Sequence, residues 1–299
     1  MKQFLLSILC SFCICISVSA QQKDFSIAEY NLNTIYSKLS RFASEEDNVK
    51  NNAIFIQMLD SVLKIPESFH YQFSELNMGI VTAPDQTFRI FTWFIVHTNG
   101  TYETFGILQR YFKVNNSVKT YKLQDYASSM KDPMMTTCTP EYWYGATYYD
   151  IRQEKYDGVS TYILLGWRPN DIYTQKKVIE TFRFDKKDKP SFGYQIIELK
   201  GKGYKKRVIF EYSAKQTMTL RYEKKKKMIV LDHIGPSDSR YEGIYEYYGP
   251  DFSIDGYKFK QGKLHYIADI DLHSSREKFS DYVPEKLKRK KKSVEHYGL

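Results

Sequence analysis

The chain has 299 residues, of which 42% are hydrophobic and 16% aromatic, and its formal net charge at pH 7 is +9. This composition predicts a packed globular protein and excludes a disordered chain, which lacks the apolar residues needed to form a core. After residue 20 no apolar run reaches membrane-spanning length, so we expect no integral membrane span in the mature chain.

Residues 1–20 have the pattern of a cleaved signal peptide. Lys2 provides a short basic start, an apolar block that is too brief to span a bilayer follows, and Val18-Ser19-Ala20 places small residues where a signal peptidase cleaves. We therefore expect an exported protein, located in the periplasm, at the periphery of the outer membrane or outside the cell. Because Lys2 is the only charged residue of the leader, the mature chain of 279 residues would carry a net charge of +8.

The cysteines agree with export. Cys10, Cys13 and Cys15 lie in the leader, so cleavage would leave Cys138 as the only thiol. One cysteine can form neither an intramolecular disulfide nor a CxxC zinc site. A lipoprotein is the alternative, but each leader cysteine follows a large apolar residue instead of the small one that lipid attachment favours.

A helical hairpin is predicted for residues 21–66. Apolar residues recur at helical spacing between Ile27 and Phe42, with Tyr30 in this set, and again between Ile54 and Leu63. The polar residues 44–48 are expected to separate the two helices, and Pro66 to end the second. The apolar stripe of the pair needs a covering layer, which the following region can supply.

The fold class is predicted to be mainly β (α+β). From residue 67 to 275 apolar residues recur with period two, as in Met218, Leu220 and Tyr222. We expect an antiparallel meander closed as a sandwich, barrel or propeller-like sheet, or divided into two packed sheets. The candidate strands are residues 87–96, 101–112, 142–153, 159–167, 177–184, 192–199, 207–213, 217–223, 228–233, 241–247 and 263–270. Residues 276–299 are predicted to be a basic tail.

Two groups of lysines are the best candidates for a binding surface. If residues 192–233 form a meander, alternate connections lie at the same end of the sheet. One such end would carry these lysines: Lys200, Lys202, Lys205, Lys206, Lys224, Lys225, Lys226 and Lys227. A basic rim of this kind would attract an anionic partner, although lysine-rich turns also serve only to keep strand edges solvated.

A calcium site is a weaker prediction. Asp251, Ser253 and Asp255 stand at alternate positions before Gly256, as in the start of a calcium-binding loop. The bidentate glutamate expected at position twelve is replaced by Gly262, so a β-turn at Asp255-Gly256 is the alternative.

No residue is assigned a catalytic role. The histidines have no ligand spacing, and neither G-x-S-x-G nor H-E-x-x-H occurs. Cys138 is expected to be a buried or inert thiol. Paired carboxylates for glycoside hydrolysis leave no local signature, so no pair is named.

Three segments carry a resemblance: Leu164-Leu165-Gly166-Trp167, residues 207–213 and residues 247–253. Together they look like segments of exported proteins of unknown function from Bacteroidota-type bacteria, over about residues 140–270. The resemblance implies a Gram-negative envelope or secreted location, but no activity.

The sequence therefore favours an exported envelope protein that acts as a non-catalytic binding or scaffold module. Its expected partner is an anionic envelope component such as lipopolysaccharide phosphate or an acidic glycan, with no cofactor required, and nucleic acid is not expected. The alternative is an exported hydrolase acting on glycans. The 26 tyrosines allow two interpretations, stacking on sugar rings or ordinary strand packing.

Overall fold

The computed structural model describes residues 25–40 and 42–271. The predicted leader 1–20 and the predicted basic tail 276–299 lie outside these residues.

Two helices open the described chain. Helix α1 covers residues 25–36, and helix α2, Glu45–Leu63, begins directly after Ser44. The expectation that residues 44–48 separate the helices is wrong, because residues 45–48 form the first turn of α2. The Ser44 side chain accepts a hydrogen bond from the Asp47 amide, and three acidic residues follow in this turn. Both features stabilise a helix start. A 3-10 helix, Pro66–His70, follows α2.

The apolar stripe of the first helix differs from the predicted one. Tyr30 is 72% exposed and Phe42 is 91% exposed, whereas Leu32 is fully buried. The buried Glu29 carboxylate accepts hydrogen bonds from the Tyr71 hydroxyl and the Glu75 amide, so this face of α1 also contains a polar contact.

Fifteen strands form three sheets within the described residues. The first sheet has the order β1 (Gly79–Thr82), β2 (Phe88–Val96), β3 (Tyr102–Phe112) and β4 (Ser117–Gln124). The middle sheet contains β5 (Thr147–Tyr156), β6 (Val159–Pro169), β7 (Thr174–Phe184), β8 (Pro190–Phe192) and β11 (Arg207–Ser213), in the order β11-β7-β6-β5 with β8 beside β7. The third contains β9 (Ile197–Glu198), β10 (Tyr204–Lys205), β12 (Leu220–Glu223), β13 (Met228–Pro236), β14 (Tyr248–Lys260) and β15 (Lys263–Ile267), in the order β10-β9-β15-β14-β13-β12.

The helices and the three sheets form four stacked layers. Neighbouring residues of a strand point to opposite faces of its sheet, so one strand can pack against the layers on both sides. In β2, Ile90 packs toward the middle sheet while Phe91 packs under the helices. In β6, Leu164 packs toward the first sheet while Leu165 packs toward the third. Strands β2 and β6 are therefore buried on both faces, which explains their nearly continuous apolar sequences.

The predicted fold class is confirmed: the described chain is mainly β, with two helices before antiparallel sheets. The sheets remain open and pack face to face. Neither described helix combines the length and the apolar character needed to cross a bilayer.

Several strand and turn predictions are wrong. Residues 192–199, expected to be one strand, are divided between β8 in the middle sheet and β9 in the third. Residues 241–247, expected to be a strand, belong to a connection with two 3-10 helices, Ser239–Tyr241 and Tyr245–Tyr247. Asp255-Gly256, expected to be a turn, lies inside β14. Gly256 is needed there because a Cβ atom would lie only 2.6 Å from the Ile229 carbonyl oxygen, which is part of the backbone and cannot move away.

Candidate functional site

An open cleft of 530 Å³ lies where β11 of the middle sheet meets the start of β14 in the third sheet. We call it the aromatic cleft. It is lined by residues 246–252, by Gly235, Pro236 and Ser237, and by Ser213, Lys215 and Gln216.

Two opposed glycines, each followed by a proline, create the space. In the β13–β14 ladder Gly235 lies opposite Gly249, and the prolines follow at positions 236 and 250. Opposed glycines leave this part of the ladder without side chains, and proline contributes no amide donor. A Cβ atom added at Gly235 would meet no atom within 4 Å. The sequence thus opens a gap in the sheet surface that a ligand can fill.

Phe252 projects from the edge of this gap. Its side chain is 98% exposed, and its φ of 72° lies in the left-handed region. The Asp251 carboxylate holds the bend by accepting hydrogen bonds from the Ser253 amide, at 3.0 Å, and the Ser253 hydroxyl, at 2.7 Å. Backbone strain of this kind clusters at functional sites.

Tyrosine rings form the adjacent wall. Tyr247 stacks on Tyr241, with ring centroids 4.2 Å apart and planes 18° apart. Tyr248 contacts the Tyr245 ring, and its hydroxyl accepts a hydrogen bond from the Gly243 amide. The rings are therefore held in place while Tyr247 remains partly exposed to solvent.

Polar groups line the same cleft. Lys215, Gln216 and Ser237 can donate hydrogen bonds, and Glu246 and Asp251 can accept them. The Glu246 carboxylate raises the pKa of the Tyr247 hydroxyl. Partial burial opposes ionisation of Asp251, but its bonds from Ser253 and the nearby His233 hold the pKa of this carboxyl below its usual value. Asp251 is therefore a charged acceptor at neutral pH.

A histidine network lies behind Asp251. The buried Asp255 carboxylate contacts His233 Nδ1 at 2.6 Å and accepts hydrogen bonds from the Tyr266 hydroxyl, at 2.5 Å, and the Asp269 amide. His233 Nε2 lies 4.0 Å from Asp251 Oδ2. Burial of Tyr266 and, as a smaller contribution, its hydrogen bond to Asp255 both raise the pKa of the Tyr266 hydroxyl. Asp255 thus orients a half-exposed imidazole next to the aromatic cleft.

A larger cleft of 880 Å³ lies beside β3, and two of its charged side chains, Arg110 and Asp85, are engaged. Arg110 there is paired with Asp188 at 2.9 Å, and its guanidinium lies 4.2 Å from the centre of the Phe184 ring. Asp85 accepts a hydrogen bond from the Tyr162 hydroxyl. Because these charged groups are already paired, the aromatic cleft is the better candidate.

The predicted lysine rim is not a single surface. Strand β11, which the predicted meander required between β9 and β12, pairs with β7 in the middle sheet. The β9–β10 turn with Lys200 and Lys202 lies at one edge of the third sheet, and the β12–β13 turn with Lys224–Lys227 lies at the other. The two turns also leave the sheet in opposite directions, because β9 runs parallel to β15 and β12 runs antiparallel to it.

Several of these lysines already have partners. Lys206 Nζ donates to the Thr137 hydroxyl at 2.7 Å, and Lys226 Nζ donates to the Asp271 carbonyl at 2.9 Å. Lys200 Nζ lies 5.8 Å from the centre of the Tyr266 ring, and Lys205 is in β10. The consecutive lysines Lys224–Lys227, in one largely exposed turn, remain the denser basic cluster.

The three predicted calcium ligands do not converge. Asp251 and Ser253 bond to each other, while Asp255 is buried and engaged by three donors. Within residues 25–40 and 42–271, no group of three His, Cys, Asp or Glu side chains is arranged to hold a metal ion. Calcium binding stays a prediction for titration to test.

Cys138 is buried, as expected, beside a buried ion pair. Arg207 Nε donates to Glu180 at 2.7 Å, and the Arg207 guanidinium also bonds Cys138 Sγ and the Pro133 carbonyl. Burial raises the pKa of the Cys138 thiol to about 11. Such a thiol is a poor nucleophile at neutral pH.

Sequence reasoning missed the aromatic cleft, since its walls come from three separate segments. The available signal was the pair of Gly-Pro dipeptides at 235–236 and 249–250, together with the four tyrosines between residues 241 and 248. Comparisons with protein-family models, with curated proteins and with solved structures found no match.

Proposed function

We propose that the protein is a non-catalytic binding module of the cell envelope, exported by its leader, and that the aromatic cleft binds a glycan. The observation that carries the proposal is the combination, in one open cleft, of a fully exposed Phe252, a fixed and partly exposed Tyr247 and a set of hydrogen-bonding side chains.

This combination suits a sugar ring. The C–H face of a pyranose is apolar and weakly electropositive, so it packs on the electron-rich face of an aromatic ring. The hydroxyl groups at the edge of the sugar need donors and acceptors, which Gln216, Glu246 and Asp251 supply. Fixed rings lose little conformational entropy on binding, which favours affinity.

Calorimetric titration with cellohexaose, maltohexaose, xylohexaose and chitohexaose tests this proposal. We expect at least one of them to bind, and Tyr247→Ala and Phe252→Ala each to weaken that binding at least tenfold, about 1.4 kcal/mol. Tyr30→Ala and Phe42→Ala are matched controls, because both residues are similarly exposed but lie in the helical part of the chain. Absence of binding by all four sugars, or equal losses in the controls, would reject the proposal.

The Lys224–Lys227 turn supports a separate contact with an anionic envelope component, such as lipopolysaccharide phosphate or an acidic glycan. Four consecutive lysines at one hairpin tip form a local positive potential. We expect salt-sensitive retention on heparin resin, reduced by Lys224→Gln with Lys225→Gln. The same double change at Lys200 and Lys202, on the other sheet edge, is the control; equal effects of the two would argue against a specific site.

The alternative, a hydrolase acting on glycans, is favoured by one arrangement. Asp255 contacts Nδ1 of His233 and orients the ring, so that Nε2 lies 4.0 Å from Asp251 Oδ2 at the cleft. An oriented imidazole beside a charged carboxylate can serve as a general base. Release of reducing ends from a bound oligosaccharide, lost in both His233→Gln and Asp251→Asn, would establish hydrolysis in place of simple binding.

A further inference from the structure

A second aromatic depression lies beside the aromatic cleft. It has a volume of 240 Å³ and is lined by Phe94, Tyr102 and Trp167, among other residues. Its edge includes Ala214, whereas the neighbouring Lys215 and Gln216 line the aromatic cleft. The turn at residues 213–216 is therefore the shared wall between the two.

The rings of this second depression are fixed against one another. Phe94 contacts Trp167 with centroids 5.5 Å apart and Tyr102 with centroids 5.8 Å apart. The indole Nε1 of Trp167 donates a hydrogen bond of 2.7 Å to Gln175 Oε1. Trp167 is half-buried, whereas Trp93 and Trp143 are buried in the core.

Gln175 connects the two depressions. Its Nε2 donates a hydrogen bond of 2.8 Å to the Gln216 carbonyl, while its Oε1 holds Trp167. The Gln216 side chain in turn lies against Gly249. A Cβ atom added at this glycine would be only 3.1 Å from Gln216 Cγ. A series of direct contacts thus runs from the Trp167 ring to the strand that carries the aromatic cleft.

The shared wall also has an exposed ring beside it. The Tyr173 carbonyl accepts a hydrogen bond of 2.7 Å from the Ala214 amide, and the Tyr173 side chain is 59% exposed. Aromatic surface is therefore available on both sides of the wall and next to it.

We infer that the two depressions are successive subsites for one oligosaccharide, whose chain passes over the turn at residues 213–216 from Phe252 and Tyr247 to Trp167. The inference rests on the proposed function and specifies its ligand as a saccharide chain longer than the aromatic cleft holds alone. Two linked contacts on one chain bind more tightly than either contact separately, so affinity should rise with chain length.

Titration with a chain-length series tests the inference. The probes are the disaccharide, tetrasaccharide and hexasaccharide of each of the four series, that is the cello, malto, xylo and chito series. In the series that binds, we expect at least a tenfold gain in affinity from the disaccharide to the hexasaccharide. Trp167→Ala should remove this gain and leave disaccharide affinity within twofold, while Tyr247→Ala should weaken binding of every length.

Trp167→Phe and Tyr102→Ala guard against a folding defect. The phenylalanine variant keeps an aromatic face and should retain most of the gain, and Tyr102→Ala should reduce it while urea denaturation reports an intact fold. A flat length dependence, or an unchanged gain in Trp167→Ala, overturns the second subsite and leaves the proposed function standing. Absence of binding at all lengths in all four series overturns the inference and counts against the proposed function as well. Grooves lined by aromatic rings also bind proline-rich peptides, so preferential binding of a proline decapeptide would have the same consequence.

Discussion

The Gln175 side-chain amide joins Trp167 to the backbone of Gln216: its Oε1 accepts a hydrogen bond of 2.7 Å from the indole Nε1, and its Nε2 donates one of 2.8 Å to the Gln216 carbonyl. The indole and the turn at residues 213–216 therefore cannot move independently. Because the indole lies in one depression and the turn borders the other, Gln175 is a positioning residue for both.

Gln175→Ala should loosen both depressions. Loss of half-buried hydrogen bonds is expected to lower the free energy of unfolding by about 1 kcal/mol, measured by urea denaturation. Gln175→Glu is the matched control, since it keeps the acceptor for Trp167 but not the donor to Gln216. The indole N–H resonance of Trp167 should shift in the alanine variant, which removes its acceptor, and the backbone amide resonances of residues 214–216 should shift in both variants, since both remove the donor to the Gln216 carbonyl. Unmoved resonances of the turn would contradict the coupling.

Phe252→Gly should separate stability from binding. Glycine adopts the φ of 72° without strain, and the exposed Phe252 ring buries almost no surface in the folded chain. Glycine also makes the unfolded chain more flexible, which lowers stability. The relief of backbone strain should offset this loss. We expect the free energy of unfolding to change by less than about 1 kcal/mol and glycan affinity to fall. A strongly destabilised variant would mean that the ring supports the fold instead.

Gly235→Val should block the aromatic cleft without disturbing the sheet. A Cβ atom at this position meets nothing within 4 Å, and valine suits a strand. We expect the thermal midpoint to be preserved and glycan binding to be lost in calorimetry. Retained binding by a folded variant would show that the ligand does not enter the space between the Gly-Pro pairs.

Glu180→Gln should strongly destabilise the middle sheet. It leaves the Arg207 guanidinium buried without its counter-charge, a change that costs about 3–5 kcal/mol in comparable pairs. Asp238→Asn, which breaks an exposed pair with Arg240, is the control and should have little effect on urea denaturation. Similar small losses in both variants would mean that the buried pair does not hold β11 in place.

Stability should fall in mild alkali because of Cys138. Its pKa is about 11 in the folded chain against 9.0 for a free thiol, so the folded state keeps a proton that the unfolded state releases. The contribution is complete below pH 9 and is lost as the pH rises from 9 to 11, by about 1.4 kcal/mol per unit. Cys138→Ala should flatten the decrease in unfolding free energy between pH 8.5 and 10; an equally steep decrease would exclude the thiol as its source.

The sequence predicted the β2–β3 hairpin to within one residue at each strand start, because its apolar pattern is strong and Asn99-Gly100 marks the turn. It failed at β14, whose Gly-Pro and Asp-Gly dipeptides resemble turns. In the folded chain Gly249 faces Gly235 of the neighbouring strand, and Gly256 lies against the backbone of Ile229. Such reasons depend on partners that are distant in sequence.

The lysine rim failed for a similar cause. Local pattern identified β11 correctly, residues 207–213, but could not reveal that this strand joins β7 instead of its sequence neighbours. Pairing over long sequence distances is decided by burial: Val208 packs with Ile179 and Ile163 between the middle and third sheets. The tyrosines of residues 241–248 fit a strand by composition, yet the connection is wound into two 3-10 helices, of which the second presents the Tyr247 ring to the cleft.

The central claim, that the groove formed by the two depressions binds a glycan, is tested most directly by the three indole ¹H–¹⁵N resonances of the protein. Trp93 and Trp143 are buried in the core, so they should not respond to a ligand, whereas Trp167 lies in the second depression. Titration with the hexasaccharide that binds in calorimetry should move the Trp167 resonance, identified by its absence in Trp167→Phe, and leave the other two in place. An unmoved Trp167 resonance at saturating sugar would contradict the account.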